Sequence, residues 1–247
     1  MANKSETGVW ATLDSNRLKH KDDSISTSGV STGYDVRLGN VTVGVLGSYG
    51  AGKVKGKSID EKNEDFSTGV YGIYKIGNFY GGALVDYQST KVKGMKNFKG
   101  GNSALQGGYK FKLKNNISIS PQIDFGFGTT KAQEIDRTLV SRNAGTTINV
   151  EYAPTPVLNF GASFGVHKVR ISNTNVNSIE MINEKEVIYE VKGENLGSKT
   201  DTHYNATLSV GTQIIPLLNI EGNIGYSKFE KAKLSGVSYG VQVNYKF

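Results

Sequence analysis

The chain contains no cysteine and only 4 prolines among its 247 residues, and it has no long apolar run. Without cysteine there is no disulfide framework and no thiolate-ligated metal, although this absence leaves the compartment open. No segment approaches the roughly 18 consecutive apolar residues of a membrane-spanning helix. No signal peptide follows the opening "MANKSE". We therefore expect either a cytosolic protein or the C-terminal piece of a longer precursor.

The charge pattern argues against a nucleic-acid partner. The formal net charge is +7, but the 29 Lys and Arg residues are mixed with 22 Asp and Glu residues. Proteins that bind nucleic acid usually concentrate their basic residues on one face. The stretch "GSYGAGKVKGKS" lacks the spacing of a phosphate-binding loop. We expect neither a nucleic acid nor a cofactor to be bound.

Glycine and aromatic residues are abundant, with 31 Gly, 13 Tyr and 10 Phe. So much glycine with so little proline is typical of strands whose backbones bend or pack closely. The final segment, "SGVSYGVQVNYKF", alternates apolar with polar or small residues up to the terminal Phe247. "ISISPQIDFGFG", "VLNFGASFGVH" and "LNIEGNIGYS" repeat this pattern. Each segment therefore forms a strand with one apolar and one polar face.

Twelve strands and essentially no helix are predicted. The strands lie near residues 7–17, 25–37, 41–52, 64–75, 79–91, 101–113, 117–129, 139–152, 157–170, 202–214, 217–229 and 236–247. Short turns such as "LGN" and "APTP" alternate with longer charged links such as "KVKGKSIDEKNED". Strands of about 9–14 residues with short turns at one end are typical of outer-membrane barrels. The sequence predicts an all-β fold, a twelve-stranded antiparallel up-and-down transmembrane β-barrel with both termini on the periplasmic side.

The distribution of side chains favours this barrel over a soluble β-sandwich or a lipocalin-like barrel, in which the apolar face is interior. Aromatic residues near the strand ends fit the girdles at the membrane interfaces. These are Tyr34, Tyr49, Phe79, Tyr87, Tyr109, Phe111, Tyr152, Tyr204, Tyr226 and Tyr239. The polar faces then line a hydrated lumen. The candidate lumen residues are Asp35, Arg37, Asp86, Lys110, Lys112, Asp124, Asn149, Glu151, His167, Glu221 and Lys246.

The end of the chain resembles the C-terminal signal that the outer-membrane barrel assembly machinery recognises. The matching residues are Tyr239, Val241, Val243, Tyr245 and Phe247. The same alternation also makes a good final strand, and the two interpretations are compatible.

The whole chain, from about residue 7 to residue 247, resembles the C-terminal translocator domain of monomeric autotransporters, the type V secretion proteins of Gram-negative bacteria. The resemblance rests on "GVWATL" with Trp10, "GNVTVGVLGSYG", "STGVYGIYKIGNFYGGALVDYQ" and the last hairpin. It implies a monomeric barrel in the cell outer membrane that anchors and helps to export an N-terminal passenger. Residues 1–6 are then an expression start and linker remnant, and residues 7–247 are the translocator.

The resemblance also implies the partners. They are outer-membrane lipid and lipopolysaccharide, the barrel assembly machinery, and the protein's own passenger and linker helix, which is threaded through the pore. The alternative function is a free-standing porin or adhesin-like barrel without a passenger.

Catalysis is a further alternative, because outer-membrane proteases and phospholipases are also small barrels. The rim residues that a protease would use are Asp22, Asp23, Asp201 and His203. No Ser adjoins a His in a known motif, and no two histidines have metal-ligand spacing. Isolated carboxylates in surface loops are usually only solvated. We therefore expect no enzymatic activity and no metal.

The longest link is "SNTNVNSIEMINEKEVIYEVKGENLGSKT". Loops longer than about 12–15 residues are uncommon unless they are functional or disordered. The alternation of Val187, Tyr189 and Val191 predicts a hairpin that extends the ninth and tenth strands, or one that folds over the pore mouth. Its resemblance to the corresponding loop of the family implies a role in export.

Overall fold

Antiparallel strands make up most of the molecule. The computed structural model describes residues 7–21, 23–56, 59–93, 97–132, 138–174, 178–182, 185–189 and 198–247. In these segments no helix has the length and apolar character needed to cross a membrane. The strands are β1 (Gly8–His20), β2 (Asp23–Leu38), β3 (Val41–Gly56), β4 (Ile59–Ile76), β5 (Phe79–Val92), β6 (Phe98–Tyr109), β7 (Phe111–Lys112), β8 (Ile117–Ala132), β9 (Thr138–Tyr152), β10 (Leu158–Thr174), β11 (Ser178–Ile182), β12 (Lys185–Tyr189), β13 (Lys199–Ile215), β14 (Leu218–Phe229) and β15 (Leu234–Lys246).

One sheet closes on itself. Consecutive strands pair from β1 to β6, then β6 pairs with β8, and the order continues through β9, β10, β13, β14 and β15. β15 returns to β1 along a ladder from Gly8–Lys246 to Lys19–Ser235. β7 continues β6, so the twelve-stranded antiparallel barrel is confirmed. Within the described residues, both edges of the sheet are paired.

The interruption between β6 and β7 has a local cause. The β6–β8 ladder ends at Gly108–Gln122 and resumes in β7 at Phe111–Ile119. Pro121 lies on β8 within this gap and has no backbone N–H to donate. The strand is therefore broken at Lys110 but keeps its direction.

Thr7, the first described residue, and Phe247 lie at the end of the barrel where the turns are short. The connections at this end are Gly39–Asn40, Gly77–Asn78, 113–116, 153–157 and Pro216–Leu217. Gly39 and Gly77 have positive φ angles of 64° and 59°, which glycine adopts without strain. The Phe247 N–H donates to the Thr7 carbonyl at 3.0 Å. Turn residues that require unusual backbone angles therefore fix this end of the barrel.

At the opposite end the strands are longer than predicted. Strand lengths reach 18 residues in β4. β3 continues to Gly56 and β4 begins at Ile59, so the prediction of a long link at "KVKGKSIDEKNED" is wrong. Above the membrane both faces of a strand meet water, and the alternation that marks a strand disappears. Cross-strand pairs such as Lys53–Asp60, at 2.7 Å, still hold the ladder there.

The apolar faces point away from the barrel. Phe125, Phe127, Phe160 and Phe164 are 52, 45, 44 and 54 % exposed. No large side chain among the described residues is fully buried, so the barrel lacks a packed apolar core there. Such a surface is stable when lipid covers it, as in a membrane barrel.

The longest link divides into two parts. β10 extends to Thr174 and β13 begins at Lys199, which lengthens the barrel wall as predicted. β11 and β12 form a separate two-stranded sheet. The predicted alternation at 187–189 falls in β12, whereas Val191 and residues 175–177, 183–184 and 190–197 lie outside the described residues.

Candidate functional site in the barrel lumen

A hydrogen-bonded aromatic pair braces the lumen wall. Trp10 Nε1 donates to Tyr71 Oη at 2.9 Å, and Tyr71 Oη donates to Asp35 Oδ2 at 2.9 Å. Trp10 projects from β1 and Tyr71 from β4, so the two rings cross the strands between them. A Cβ atom at Gly33 would lie 2.4 Å from Trp10, and one at Gly44 would lie 2.3 Å from Tyr71. Glycine at both positions is what allows the rings to meet.

The same packing recurs around the wall. Polar or aromatic side chains lie across a glycine of a neighbouring strand, as with Tyr80 over Gly108, His167 over Gly145 and Asn205 over Gly165. Much of the glycine in this sequence therefore permits close packing on the polar face, in addition to forming turns.

Asp124 and His167, two of the predicted lumen residues, are brought together. Thr147 Oγ1 donates to Asp124 Oδ2 at 2.8 Å, and His167 Nε2 lies 3.4 Å from the same oxygen. Gln122 Nε2 donates to the other carboxylate oxygen. The Asp124 and His167 side chains are only 20 and 19 % exposed. In this partly dry wall, charge interactions are stronger than at an open surface.

An ion pair lies near the short-turn end. Lys110 Nζ and Glu151 Oε2 are in contact, and Ser118 Oγ donates to Glu151 at 3.4 Å. Lys112 follows on the same face and is the cross-strand partner of Ser118. Arg37 Nε donates to the carbonyl of the Gly39 turn at 2.9 Å.

The other predicted lumen residues are spread around the wall. Asp86 accepts a hydrogen bond from Asn102 Nδ2 at 2.8 Å. Asn149 donates to the Ser120 carbonyl at 3.4 Å. Glu221 and Lys246 lie on β14 and β15, on the faces opposite the exposed apolar side chains. Within the described residues, polar groups from many strands therefore line the lumen.

A cavity of about 590 Å³ borders the wall from β4 to β10. Tyr71, Ile73 and Leu84 contribute an apolar side, and Asn143 and His167 contribute a polar side. The space suits a chain segment that has one apolar and one polar face.

The C-terminal residues close the barrel. Tyr239, Val241, Tyr245 and Phe247 are exposed on the outer face. The Phe247 ring lies 6.1 Å from Tyr245 on its own strand and 6.5 Å from Tyr34 on β2. The last residue thus reaches past β1 and joins the aromatic girdle on the far side of the seam.

Asp201, considered above for catalysis, instead holds a turn. Its carboxylate accepts the backbone N–H groups of Thr202, Lys231 and Ala232 at 2.7–2.8 Å. Asp201 lies beyond Tyr204, at the outer rim. Burial raises the pKa of its carboxyl group, but the three backbone hydrogen bonds outweigh burial and hold the pKa below the ordinary 3.8. These bonds secure the β14–β15 turn.

The other residues considered for catalysis lie in different places. His203 stacks on Phe229 with the ring centroids 4.4 Å apart, and its ring lies 6.0 Å from that of His167. Asp23 begins β2, and Asp22 lies outside the described residues. Across the described parts of the chain, no three His, Asp or Glu residues are grouped to hold a metal.

Sequence reasoning missed the inward aromatic residues Trp10, Tyr71 and Tyr80. A signal was present, because Trp10 shares its face with Thr12 and Asp14. Which glycine faces which ring depends on strand register, and the sequence pattern does not supply that.

The fold and lumen define an outer-membrane β-barrel. The β domain of the Bordetella autotransporter BrkA has a TM-score of 0.72 at 14 % identity, covering 98 % of this chain and 100 % of that one. The translocator domain of NalP from Neisseria meningitidis has a TM-score of 0.70 at 14 % identity, with coverages of 99 % and 90 %. The transport unit of AIDA-I from Escherichia coli has a TM-score of 0.58 at 16 % identity, with coverages of 99 % and 91 %. At these identities the likeness shows the fold.

The sequence shows the family. The model of the autotransporter beta-domain matches residues 8–170, well over half of the chain. The protein therefore belongs to the autotransporter beta-domain family, and the predicted resemblance is confirmed. This family of barrels is located in the outer membrane. No curated protein sequence matches the chain significantly.

Close packing against glycine can be tested on β3. Gly44→Ala would place a Cβ 2.3 Å from the Tyr71 ring. Overpacking of this kind costs about 1–3 kcal/mol. The thermal unfolding temperature of the folded barrel in detergent is therefore expected to fall.

The matched control is Gly47→Ala on the same strand, where the nearest atom to the new Cβ is Ser67 O at 3.9 Å. Equal unfolding temperatures for the two variants would contradict the packing role assigned to Gly44.

Proposed function

We propose that this barrel anchors an N-terminal passenger in the outer membrane and takes part in exporting it to the cell surface. The match of the autotransporter beta-domain over residues 8–170 carries this proposal. The similar structures include a translocator domain and a transport unit of other autotransporters. We expect the barrel to function as a monomer, because closure pairs both edges of the described barrel sheet and leaves no edge of that sheet for a second copy.

The lumen supports a role as a conduit. Its wall consists largely of small and polar side chains, and these polar groups are held in place, as in the Lys110–Glu151 ion pair and the contact between Asp124 and His167. The 590 Å³ cavity has one apolar and one polar side. An amphipathic linker helix between passenger and barrel fits such a space, with its apolar stripe against Ile73.

The topology supports an orientation. Outer-membrane barrels place their short turns in the periplasm and their longer loops outside. We therefore assign the end with the short turns and both termini to the periplasm. The chain upstream of residue 7 then enters the lumen from the periplasm, and the passenger emerges at the opposite rim, near the β11–β12 sheet.

The C-terminal strand is assigned a second role as the signal for the barrel assembly machinery. Tyr245 and Phe247 are exposed on the outer face at the periplasmic rim, next to the seam. Before β1 pairs with β15, Tyr245 and Phe247 are accessible on the unpaired strand, and the barrel assembly machinery is proposed to bind them at that stage.

The role of Tyr245 and Phe247 as an assembly signal can be tested separately from their packing in the aromatic girdle. Tyr245→Asp with Phe247→Asp is expected to reduce strongly the amount of barrel in the outer membrane of living cells, and to affect refolding in detergent less. The control, Tyr152→Asp with Phe160→Asp, places two carboxylates on the same rim away from the seam. Charges near the interface cost only about 0–1 kcal/mol, so the control should insert. Equal insertion of both double variants would rule out a special signal in β15.

Export is tested by fusing a signal peptide and an epitope-tagged passenger upstream of residue 7. Protease added to intact cells is expected to remove the tag while the barrel stays inserted. The control carries the tag between Gly77 and Asn78, in the proposed periplasmic turn, and should be cleaved only after the outer membrane is permeabilised.

Retention of the passenger tag inside cells with a normally inserted barrel would contradict export. That result would favour the alternative, a free-standing barrel. Cleavage of the turn tag in intact cells would contradict the orientation.

A further inference from the structure

The outer surface of β8, β9, β10 and β13 becomes strongly basic above the apolar band. Arg142 on β9 and Arg170 on β10 are direct cross-strand partners, and Lys168 occupies the neighbouring outward position on β10. All three side chains are exposed. None of the described outward positions on these four strands carries Asp or Glu.

The arginine pair is unfavourable in isolation, because like charges directly opposite one another destabilise a sheet. The Arg142 guanidinium lies 6.0 Å from the centre of the Phe127 ring, and Arg170 Nε donates to Ser198 Oγ. Neither contact neutralises a charge. An anion bound between the two guanidinium groups would attract both of them and offset their mutual repulsion.

A second pair of basic residues, on β3 and β4, has carboxylates of the protein beside it. Lys53 and Lys62 are cross-strand partners on β3 and β4. There Asp60 forms an ion pair with Lys53 at 2.7 Å, and Glu64 is exposed two residues from Lys62. Lys53 and Lys62 therefore have carboxylates of the protein beside them, whereas the described outward positions of β8, β9, β10 and β13 offer none to Arg142 and Arg170.

An apolar groove adjoins the basic cluster on its membrane side. Phe164, Tyr204 and Tyr226 form the sides of the groove, and Lys228 and the exposed Glu230 lie at its outer end. Its floor is Ala206, whose cross-strand partners are Phe164 and Tyr226. The small alanine between two large rings leaves a volume of about 440 Å³.

We propose that this surface binds a phosphorylated lipid of the outer leaflet. Its phosphate lies against Arg142, Lys168 and Arg170, and an acyl chain lies in the groove over Ala206. Guanidinium groups suit phosphate because their planar fork can donate two parallel hydrogen bonds. The cluster borders the lipid-facing band, where headgroups lie. The proposal rests on the outer-membrane location and the proposed orientation and not on any passenger, so it survives if export alone fails.

The test uses the full chain, purified in neutral detergent, and native mass spectrometry. The probes are a bis-phosphorylated, multiply acylated glucosamine lipid, the same lipid without phosphates, and inorganic phosphate. Arg142→Gln/Lys168→Gln/Arg170→Gln is expected to weaken binding of the phosphorylated lipid at least tenfold, because each basic residue near a headgroup contributes roughly fivefold. The phosphate-free lipid and inorganic phosphate should bind weakly to both proteins.

Two further variants control for charge and for the groove. Lys53→Gln/Lys55→Gln/Lys62→Gln removes equal charge from β3 and β4 and should retain affinity within about twofold. Ala206→Leu fills the groove without changing charge and should weaken lipid binding. Heat-modifiable gel mobility verifies that each variant is folded.

Three results would overturn the proposal. Equal loss of affinity in the two triple variants would indicate general electrostatic attraction. Binding of the phosphate-free lipid or of inorganic phosphate as tight as that of the phosphorylated lipid would exclude the proposed pairing of phosphate and acyl chain. Unchanged lipid binding by Ala206→Leu would remove the groove from the site.

Discussion

Backbone hydrogen bonding in lipid is the constraint on which this structure depends. Inside the bilayer no water satisfies an exposed N–H or C=O group, so a sheet that crosses the membrane must close. Here closure joins the first strand to the last, from Gly8–Lys246 to Lys19–Ser235. The terminal Phe247 is therefore a structural residue: its N–H bonds to Thr7 and its ring contacts the girdle beyond β1.

Because the barrel is closed, its outer face contacts lipid and its inner face contacts water, and the two faces are stabilised in different ways. The outer face is apolar and is stabilised by lipid, so no packed core is needed. The inner face must keep a wall of polar groups in order next to water. It does so with rings and amides that lie across glycines, as Tyr71 lies across Gly44, and with partly buried polar contacts such as that between Asp124 and His167. Large side chains that pack over glycines of the next strand thus take the place of the interdigitated side chains in the core of a soluble protein.

The sequence predicts the short-turn half of this architecture well, because turns there depend on residues such as Gly39 whose backbone angles are distinctive. It predicts the opposite ends of the strands poorly, since alternation fades once both faces meet water. The lumen contacts and the basic cluster depend on register. Arg142 and Arg170 are 28 residues apart in a sequence whose charges are scattered, yet the β9–β10 ladder places them side by side.

Paired cysteines across the seam test the closed barrel most directly, since the native chain has no cysteine that would interfere. Thr12 and Gln242 are cross-strand partners on β1 and β15. Such partners have Cα atoms about 4.5–5.5 Å apart, within reach of a disulfide. Thr12→Cys/Gln242→Cys is expected to form an intramolecular disulfide in membranes under mild oxidation. Thr12→Cys/Ser238→Cys, which is out of register by about 13 Å, should not. Cross-linking of the second pair, or of neither, would contradict closure in this register.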